Sequence, residues 1–170
     1  MLNSFQLARL QPFWLLLVLS PLVGCGFHLK GYHQVSTVLN GLYVMESDIQ
    51  DSVADILRRD LQNGGVVMAP DAETARFSLQ ITQEKFSSRV LSVDANGKAL
   101  DNEMQLVVTF RLIPADPDET ATEQQLELVR QLSLSGSDEL GQRNESTSMV
   151  TDMRNDVASQ IIRRLEVQLR

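Results

Sequence analysis

A chain of 170 residues with 15 basic and 22 acidic side chains carries a formal charge of −7. Because nucleic-acid binding requires clustered lysine and arginine, this balance argues against a DNA- or RNA-binding protein. The single cysteine excludes a disulfide within the chain, so the fold must depend on its hydrophobic core. The length suits one domain that buries about two thirds of its unfolded surface.

The first 24 residues have the pattern of a secretory signal. Arg9 is their only charged side chain, residues 13–19 are an apolar run, and the segment ends in a small glycine. The run is too short to span a bilayer, which requires about 20 apolar residues. Residues 22–25, Leu-Val-Gly-Cys, resemble the lipobox of bacterial lipoproteins. This resemblance implies that residues 1–24 are a cleaved signal peptide and that Cys25 is acylated.

The proposed anchor determines what remains of the chain. Cleavage would leave 146 of the 170 residues and change the formal charge to −8, because Arg9 is lost. Three acyl chains on Cys25 would hold the protein stably at a membrane, and residues 25–40 would form the lipidated N-terminus and tether. Gly26, rather than an aspartate, follows the cysteine, which favours the outer membrane. The alternative is an uncleaved anchor with an incidental cysteine.

Residues 41–170 are predicted to form a single folded domain that starts with a strand, a helix and a strand. Residues 41–45 are a short β-type run. Ser47 and the glutamine three residues later form a potential capping box, and an Asn-Gly-Gly stop at residues 63–65 ends the helix. Residues 66–69 are a candidate second strand, which the helical crossover would make parallel to the first.

The middle of the chain alternates with a period of two, as expected for three antiparallel strands. The alternation starts at Phe77, and its phase slips between residues 83 and 86, which indicates a β-bulge. Asn96-Gly97 is a strong hairpin signal. Each of the next two strands has one apolar face, and Arg130 interrupts the second. The apolar positions are Met104, Leu106, Val108, Phe110 and Leu112, then Leu126, Leu128, Leu132 and Leu134.

The last predicted element is a long amphipathic helix. Residues 135–148 have the composition of a polar loop, and apolar residues recur at helical spacing from Val150 to Leu169. Each strand then has one apolar face and each helix one apolar stripe. The most economical architecture is an α+β fold, in which a single mixed sheet of about four main strands carries both helices on one face.

No catalytic or metal-binding pattern is present in the sequence. The two histidines, His28 and His33, fall in the predicted tether, where no rigid scaffold would hold them. The glycines after Asn63 fit a helix end rather than a phosphate-binding loop. With Cys25 acylated, no thiol would remain as a nucleophile or a ligand. The sequence therefore predicts neither an enzyme nor a cofactor.

Two segments resemble a known family. Residues 25–31, Cys-Gly-Phe-His-Leu-Lys-Gly, are similar to the mature start of LptE, the lipopolysaccharide-assembly lipoproteins of Gram-negative outer membranes, and residues 149–165 are similar to that family's last helix. The order of elements between them is similar too. The resemblance implies a non-catalytic, lipid-anchored protein on the periplasmic side that plugs the β-barrel of its partner LptD. It also implies help in barrel assembly and binding of lipopolysaccharide.

The resemblance also implies where lipopolysaccharide would bind. In this family basic residues near the loops at one end of the sheet are implicated, and Arg143 matches the position before the last helix. The family's other position lies at the hairpin turn, where this chain has Ala95 before Asn96; Lys98 or Arg89 could substitute there. Arg143 also has a physical rationale, because a guanidinium beside a helix N-terminus can bind a phosphate. The alternative is a solvated loop arginine.

A second function stays open at this point. The chain could be another outer-membrane lipoprotein with a stand-alone ligand-binding or scaffolding role. Polar outward faces fit a plug inside a water-lined barrel and a free soluble domain equally well, so composition does not separate the two. Recovery of a stable barrel partner would separate the two functions.

Overall fold

The computed structural model describes residues 37–49, 51–133 and 139–170, without the side chain of Glu139. A short 3-10 helix is followed by a strand, a helix, three long strands and a long helix. These are the 3-10 helix Thr37–Leu39, β1 (Leu42–Val44), α1 (Val53–Asn63), β2 (Phe77–Val93), β3 (Ala99–Pro114), β4 (Thr122–Ser133) and α2 (Glu139–Gln168). The predicted signal peptide, Cys25, both histidines and Leu134 lie outside the described residues.

A four-stranded sheet in the order β1-β2-β3-β4 forms one layer of the domain. β1 runs parallel to β2, whereas β2, β3 and β4 are antiparallel neighbours, so the sheet is mixed. Both helices cover the same face of the sheet, where they pack on each other and on the strands. The predicted α+β fold is thereby confirmed. We call the uncovered side of the sheet the open face.

The hydrophobic core lies between the sheet and the two helices. β3 alternates along its length, and its residues from Met104 to Leu112 are buried at the predicted positions. The helices contribute Val53, Ala54, Ile56, Leu57 and Leu61 from α1, and Met153, Val157, Ala158, Ile161, Ile162 and Leu165 from α2. Burial of each large apolar side chain stabilises the fold by about 1.5–3 kcal/mol. Leu39 is also fully buried, so the fold begins before the predicted boundary at residue 41.

Helix α1 begins at Val53 because Ser52, and not Ser47, is its N-cap. The Asp55 N–H donates to the Ser52 hydroxyl (3.3 Å), and the Ser52 N–H donates to the Asp55 carboxylate (3.1 Å), which completes a capping box. The prediction of a box at Ser47 was wrong. A carboxylate accepts stronger hydrogen bonds than an amide does, and that of Asp55 also binds Arg58 (2.6 Å). The predicted helix end at Asn63 is confirmed.

Residues 66–69 are not a strand of the sheet, contrary to the prediction. The Ala69 N–H donates to the Leu42 carbonyl (3.0 Å), and the Gly41 N–H donates to the Val67 carbonyl (2.8 Å). The segment therefore lies beside β1 but does not form a regular ladder with it. The parallel partner of β1 is β2, which α1 and this segment connect to it.

A β-bulge in β2 turns Glu84 towards the helices. The register with β3 shifts between Ile81 and Gln83, immediately before the predicted phase slip. Beyond the shift Glu84 pairs with Val108, which is fully buried on the helix-covered face. Without the bulge, strict alternation from Leu79 would direct Glu84 to the open face.

Helix α2 starts at Glu139, so much of the predicted polar loop of residues 135–148 is helical. The Thr147 hydroxyl donates to the Arg143 carbonyl (2.9 Å), and the Thr151 hydroxyl donates to the Thr147 carbonyl (3.1 Å). Once the apolar part of a helix is packed, each added residue gains a backbone hydrogen bond without a new nucleation cost. A polar stretch without an apolar stripe can therefore extend the helix by several turns.

Candidate functional site

The predicted basic residues belong to one end of the sheet, which we call the hairpin end. It comprises the turn between β2 and β3, the end of β4 and the first turns of α2. The opposite end, where the chain enters at residues 37–41, is the entry end. Both ends are formed by loops and element termini, which are the usual positions of binding residues on a rigid scaffold.

Asp94 orders the tip of the hairpin. Its carboxylate accepts hydrogen bonds from the Asn96 N–H (2.8 Å) and the Lys98 N–H (2.9 Å), and its own N–H donates to the Lys98 carbonyl (2.8 Å). Gly97 has a φ of 81°, in the left-handed region that favours glycine. The backbone hydrogen bonds from Lys98 and Asn96 lower the pKa of Asp94 below its ordinary value. The turn is therefore held in one conformation by these hydrogen bonds.

Asp101 holds the three long strands together at the hairpin end. Its carboxylate accepts hydrogen bonds from the Ser133 hydroxyl of β4 (2.6 Å) and from the Ser92 hydroxyl of β2 (2.5 Å). These bonds lower the pKa of Asp101, with the larger effect from Ser133. From the sequence, Asp94 and Asp101 are expected to be solvated carboxylates beside the turn. An aspartate two residues before Asn-Gly is, however, a known turn signal.

Lys98 and Arg89 differ in whether a neighbouring carboxylate already pairs with their positive charge. Lys98 is exposed on the turn, and within the described part of the chain no carboxylate lies within salt-bridge distance of its ammonium group. The Arg89 Nε lies 2.7 Å from the Glu103 carboxylate, although 72% of the Arg89 side chain is exposed. The hydrogen bond from Arg89 lowers the pKa of Glu103. Lys98 is therefore the better candidate at the turn.

Arg143 lies inside α2 rather than before it, which corrects the predicted position. It is the fifth residue of a helix that begins at Glu139, and its side chain is exposed. It consequently does not flank the N-terminal N–H groups of that helix, and the phosphate site predicted from such flanking is not formed in this way. Its guanidinium forms no ion pair with the residues that the structure describes. No hydrogen bond among those residues joins it to Lys98 or Arg89.

Apolar side chains accompany these cations at the hairpin end. The last half of β2 carries four large apolar residues that the helices leave exposed, and the first turn of α2 carries another. They are Phe86, Val90, Leu91 and Val93, and Leu140, which is 71% exposed. They and the basic residues belong to the same end of the domain. This end of the domain therefore offers exposed apolar groups as well as cations to a ligand.

Glu84 and Arg130 fix α2 over the sheet. The Glu84 carboxylate lies 2.7 Å from the Arg154 Nε of α2 and accepts a hydrogen bond from the Val53 N–H of α1 (3.0 Å). Its side chain is only 4% exposed. Arg130, which interrupts the apolar face of β4, forms an ion pair with Asp156 of α2. The sequence missed the role of Glu84, for which the only local signal is its place at the phase slip.

Two further properties concern the described residues as a whole. They contain no cluster of three or more histidine, cysteine, aspartate or glutamate residues arranged to hold a metal ion. Among their helices none is both long and apolar enough to cross a membrane.

Comparison with known proteins relates this fold to one family. Residues 39–165 match the family described as LptE, lipopolysaccharide-assembly. This match begins and ends at Leu39 and Leu165, which are the first and last buried residues of the core. The chain belongs to the lipopolysaccharide-assembly family LptE.

Individual LptE proteins are similar over most of the chain. A protein of Yersinia pestis (strain Pestoides F) named LPS-assembly lipoprotein LptE is 30% identical over 154 residues, which cover 89% of this chain and 73% of that protein. A protein of the same name from Yersinia pseudotuberculosis serotype O:1b (strain IP 31758) has the same identity and coverage.

Solved lipoprotein structures share the fold. The rare lipoprotein B of Shewanella oneidensis has a TM-score of 0.65 at 20% identity, over 75% of this chain and 94% of that one. The uncharacterized lipoprotein B of Nitrosomonas europaea has a TM-score of 0.65 at 24% identity, over 83% of this chain and 90% of that one. At these identities the likeness concerns the arrangement of the sheet and helices.

Proposed function

We propose that this LptE-family protein is a non-catalytic lipoprotein of the outer membrane that takes part in lipopolysaccharide assembly. Acyl chains on Cys25 would anchor it, with the folded domain on the periplasmic side. The observation that carries the proposal is the family match, which spans the whole core from Leu39 to Leu165. Its Yersinia relatives are named for lipopolysaccharide assembly and for being lipoproteins.

The partner that we propose is the LptD β-barrel, which the domain would plug and help to assemble. The open face supports this role, because its side chains are mostly polar and already bonded in rows across the strands. Ser87 donates to Gln105 (3.2 Å), Gln105 donates to Glu127 (2.6 Å), and Arg111 pairs with Glu123 (3.2 Å). Such a face can lie against a water-lined lumen without leaving polar groups unpaired.

Gentle detergent extraction of the tagged full-length protein tests the partnership. We expect a large barrel protein to be recovered with it in a one-to-one ratio, and mass spectrometry to identify that protein. Recovery of the lipoprotein alone would favour the alternative, another outer-membrane lipoprotein with a stand-alone ligand-binding or scaffolding role.

The ligand that we propose for the hairpin end is lipopolysaccharide. It combines phosphate groups with acyl chains, and the hairpin end combines the cations Lys98 and Arg143 with exposed apolar residues such as Phe86 and Val90. Charge-assisted hydrogen bonds from these cations would position the phosphates. Arg89 would contribute less, because Glu103 already balances its charge.

Charge reversal tests the ligand site. We expect Lys98→Asp with Arg143→Asp to weaken binding of lipopolysaccharide by purified residues 25–170 at least tenfold, since each lost charge-assisted contact is worth about 1.5–3 kcal/mol. The matched control is Arg59→Asp with Arg111→Asp, which changes the charge equally away from the hairpin end. Unchanged binding in the first variant, or equal loss in both, would contradict the site. Circular dichroism of each variant confirms that the fold is retained.

A further inference from the structure

A basic groove lies at the entry end, away from the hairpin end. It has a volume of about 650 Å³ and runs between the last turns of α2 and the start of β4. Its lining combines two arginines, three glutamines and one apolar residue. These are Arg163, Arg164, Gln124, Gln160, Gln168 and Val167.

The two arginines of this groove lack the partners that other arginines of the domain have. Arg164 donates only to the neutral amide of Gln124 (3.3 Å), and within the described part of the chain no carboxylate lies within 4.0 Å of Arg163 or Arg164. Six other arginines form ion pairs among the residues that the structure describes. They are Arg58, Arg59, Arg89, Arg111, Arg130 and Arg154. Two adjacent unbalanced guanidinium groups in an acidic domain fit an anionic ligand.

An exposed apolar residue lies between the arginines and the end of the helix. Val167 is 75% exposed, one turn after Arg163 and within the same groove. Arginines can reach headgroup phosphates while a neighbouring apolar side chain enters the interface of a bilayer. This combination distinguishes the groove from a site for a free inorganic anion.

The groove also lies at the end of the domain that the N-terminal chain reaches. The Gln168 amide donates to the Thr122 hydroxyl (2.8 Å), which places the last turn of α2 at the start of β4. β2 begins at this same end of the sheet, and the Arg76 N–H there donates to the Gly41 carbonyl (2.8 Å). Residues 26–36, which connect the chain entry to Cys25, can span at most about 40 Å when fully extended.

We propose that this groove binds the phosphate headgroup of an anionic glycerophospholipid in the membrane leaflet that holds the anchor. The proposal rests on the anchoring of Cys25 that we propose above. Arg163 and Arg164 bind the phosphate oxygens, Gln124 and Gln168 contribute amide donors, and Val167 contacts the glycerol and upper acyl region. Before the domain enters its partner barrel, the contact orients it with its entry end against the membrane and its hairpin end away from it.

The test uses the single cysteine and a single introduced tryptophan. Residues 25–170 contain every core residue and no tryptophan, because the only one in the chain is Trp14. The variant Val167→Trp is coupled through Cys25 to an uncharged maleimide-bearing diacylglycerol in vesicles of phosphatidylcholine, with or without phosphatidylglycerol. We expect blue-shifted emission and protection from acrylamide only where phosphatidylglycerol is present.

Variants in the Val167→Trp background test whether the two arginines are responsible for docking. Arg163→Gln with Arg164→Gln is expected to reduce the docking equilibrium about 30-fold, since each arginine near an anionic membrane contributes about 1 kcal/mol. Arg59→Gln with Lys85→Gln removes the same charge away from the entry end, since Lys85 lies in the middle of β2, and this variant is expected to dock as before. The proposal would be overturned if the emission were the same with and without phosphatidylglycerol. It would also be overturned if both double variants lost docking equally. A third preparation, phosphatidylcholine with lipopolysaccharide, is tested in parallel, and a blue shift in that preparation alone would also overturn the proposal.

This experiment is independent of the proposed function. The coupling at Cys25 is chemical, so the result does not depend on whether the cell acylates that residue. The mass of the protein extracted from cells reports acylation separately. A failure of groove docking and a failure of the lipoprotein assignment are thus read from different measurements.

Discussion

Glu84 is the side chain that connects the sheet to both helices. Its carboxylate binds Arg154 of α2 and the first N–H of α1, at Val53, from a position that the β2 bulge alone makes possible. A nearly buried carboxylate of this kind is costly to place unless every lone pair is used. Here the lone pairs accept hydrogen bonds from α1 and α2, so Glu84 stabilises the packing of the helices on the sheet rather than β2 itself.

We predict that Glu84→Gln lowers the free energy of unfolding by about 2–3 kcal/mol, since it leaves a mostly buried arginine without its counter-charge. Breaking a fully buried ion pair costs about 3–5 kcal/mol. Because Arg154 is 21% exposed, we expect a smaller loss here. Urea denaturation measures the change. Glu127→Gln, on the open face, is the matched control and is expected to change the free energy by less than about 0.5 kcal/mol. Equal midpoints for the two variants would contradict the role of Glu84.

At the same scale, the capping box of α1 shows why single residues escape sequence analysis. Ser47 and Ser52 both satisfy the sequence pattern of an N-cap, and each is followed three residues later by a polar side chain that could complete the box. The choice is made by Arg58, which binds Asp55 and also donates to the carbonyls of Val44 and Met45. Burial tends to raise the pKa of Asp55, but the hydrogen bonds from Ser52 and Arg58 outweigh it and lower the pKa. A contact with β1 thus decides where α1 begins.

Among the elements, the hairpin between β2 and β3 depends most on one ionised group. Asp94 has a lowered pKa in the folded state, so its contribution is present above its ordinary pKa of 3.8 and is lost as the pH falls through the lower folded value. The hairpin tip is therefore expected to be ordered at neutral pH and to loosen below about pH 4.

We predict that Asp94→Ala produces the loosened tip at neutral pH. The amides of Asn96 and Lys98 lose their acceptor, so their hydrogen exchange is expected to accelerate several-fold while the global unfolding midpoint changes little. Amide exchange followed by NMR measures both. Asp118→Ala, in the loop between β3 and β4, serves as the control and should leave the tip unchanged. Tip protection that persists in Asp94→Ala, or that is independent of pH, would contradict this account.

Periodic elements could be predicted from the sequence, and aperiodic ones could not. The strict alternation from Met104 to Leu112 predicted β3 and its buried face, because a half-buried strand leaves no other arrangement. The first turns of α2 carry no apolar stripe, so their helical state depends on the packed part that follows Met149. This is also why Arg143 was expected in a loop. Residues 66–69 have strand composition, but their backbone hydrogen bonds to Gly41 and Leu42 do not form a regular ladder.

For the molecule as a whole, the fold class followed from the sequence because each element had one apolar side. The pairing of surfaces did not follow. The polar rows of the open face and the unbalanced arginines at the entry end arise from residues that are distant along the chain, such as Gln124 and Arg164. Periodicity identifies which side of an element is buried, but it does not identify which polar residues meet across elements.

The order of the strands has a consequence for how the protein acquires its structure. Since neighbours in the sheet are mostly neighbours in the chain, β2, β3 and β4 can associate through short loops, which favours rapid formation. The core, however, is completed only by Met153 to Leu165, close to the C-terminus. On the export that we propose, led by the N-terminus, the apolar side of the meander would stay exposed until almost the entire chain has crossed. We expect the protein to be most prone to aggregate, and to need a chaperone most, in that interval rather than once the structure is complete.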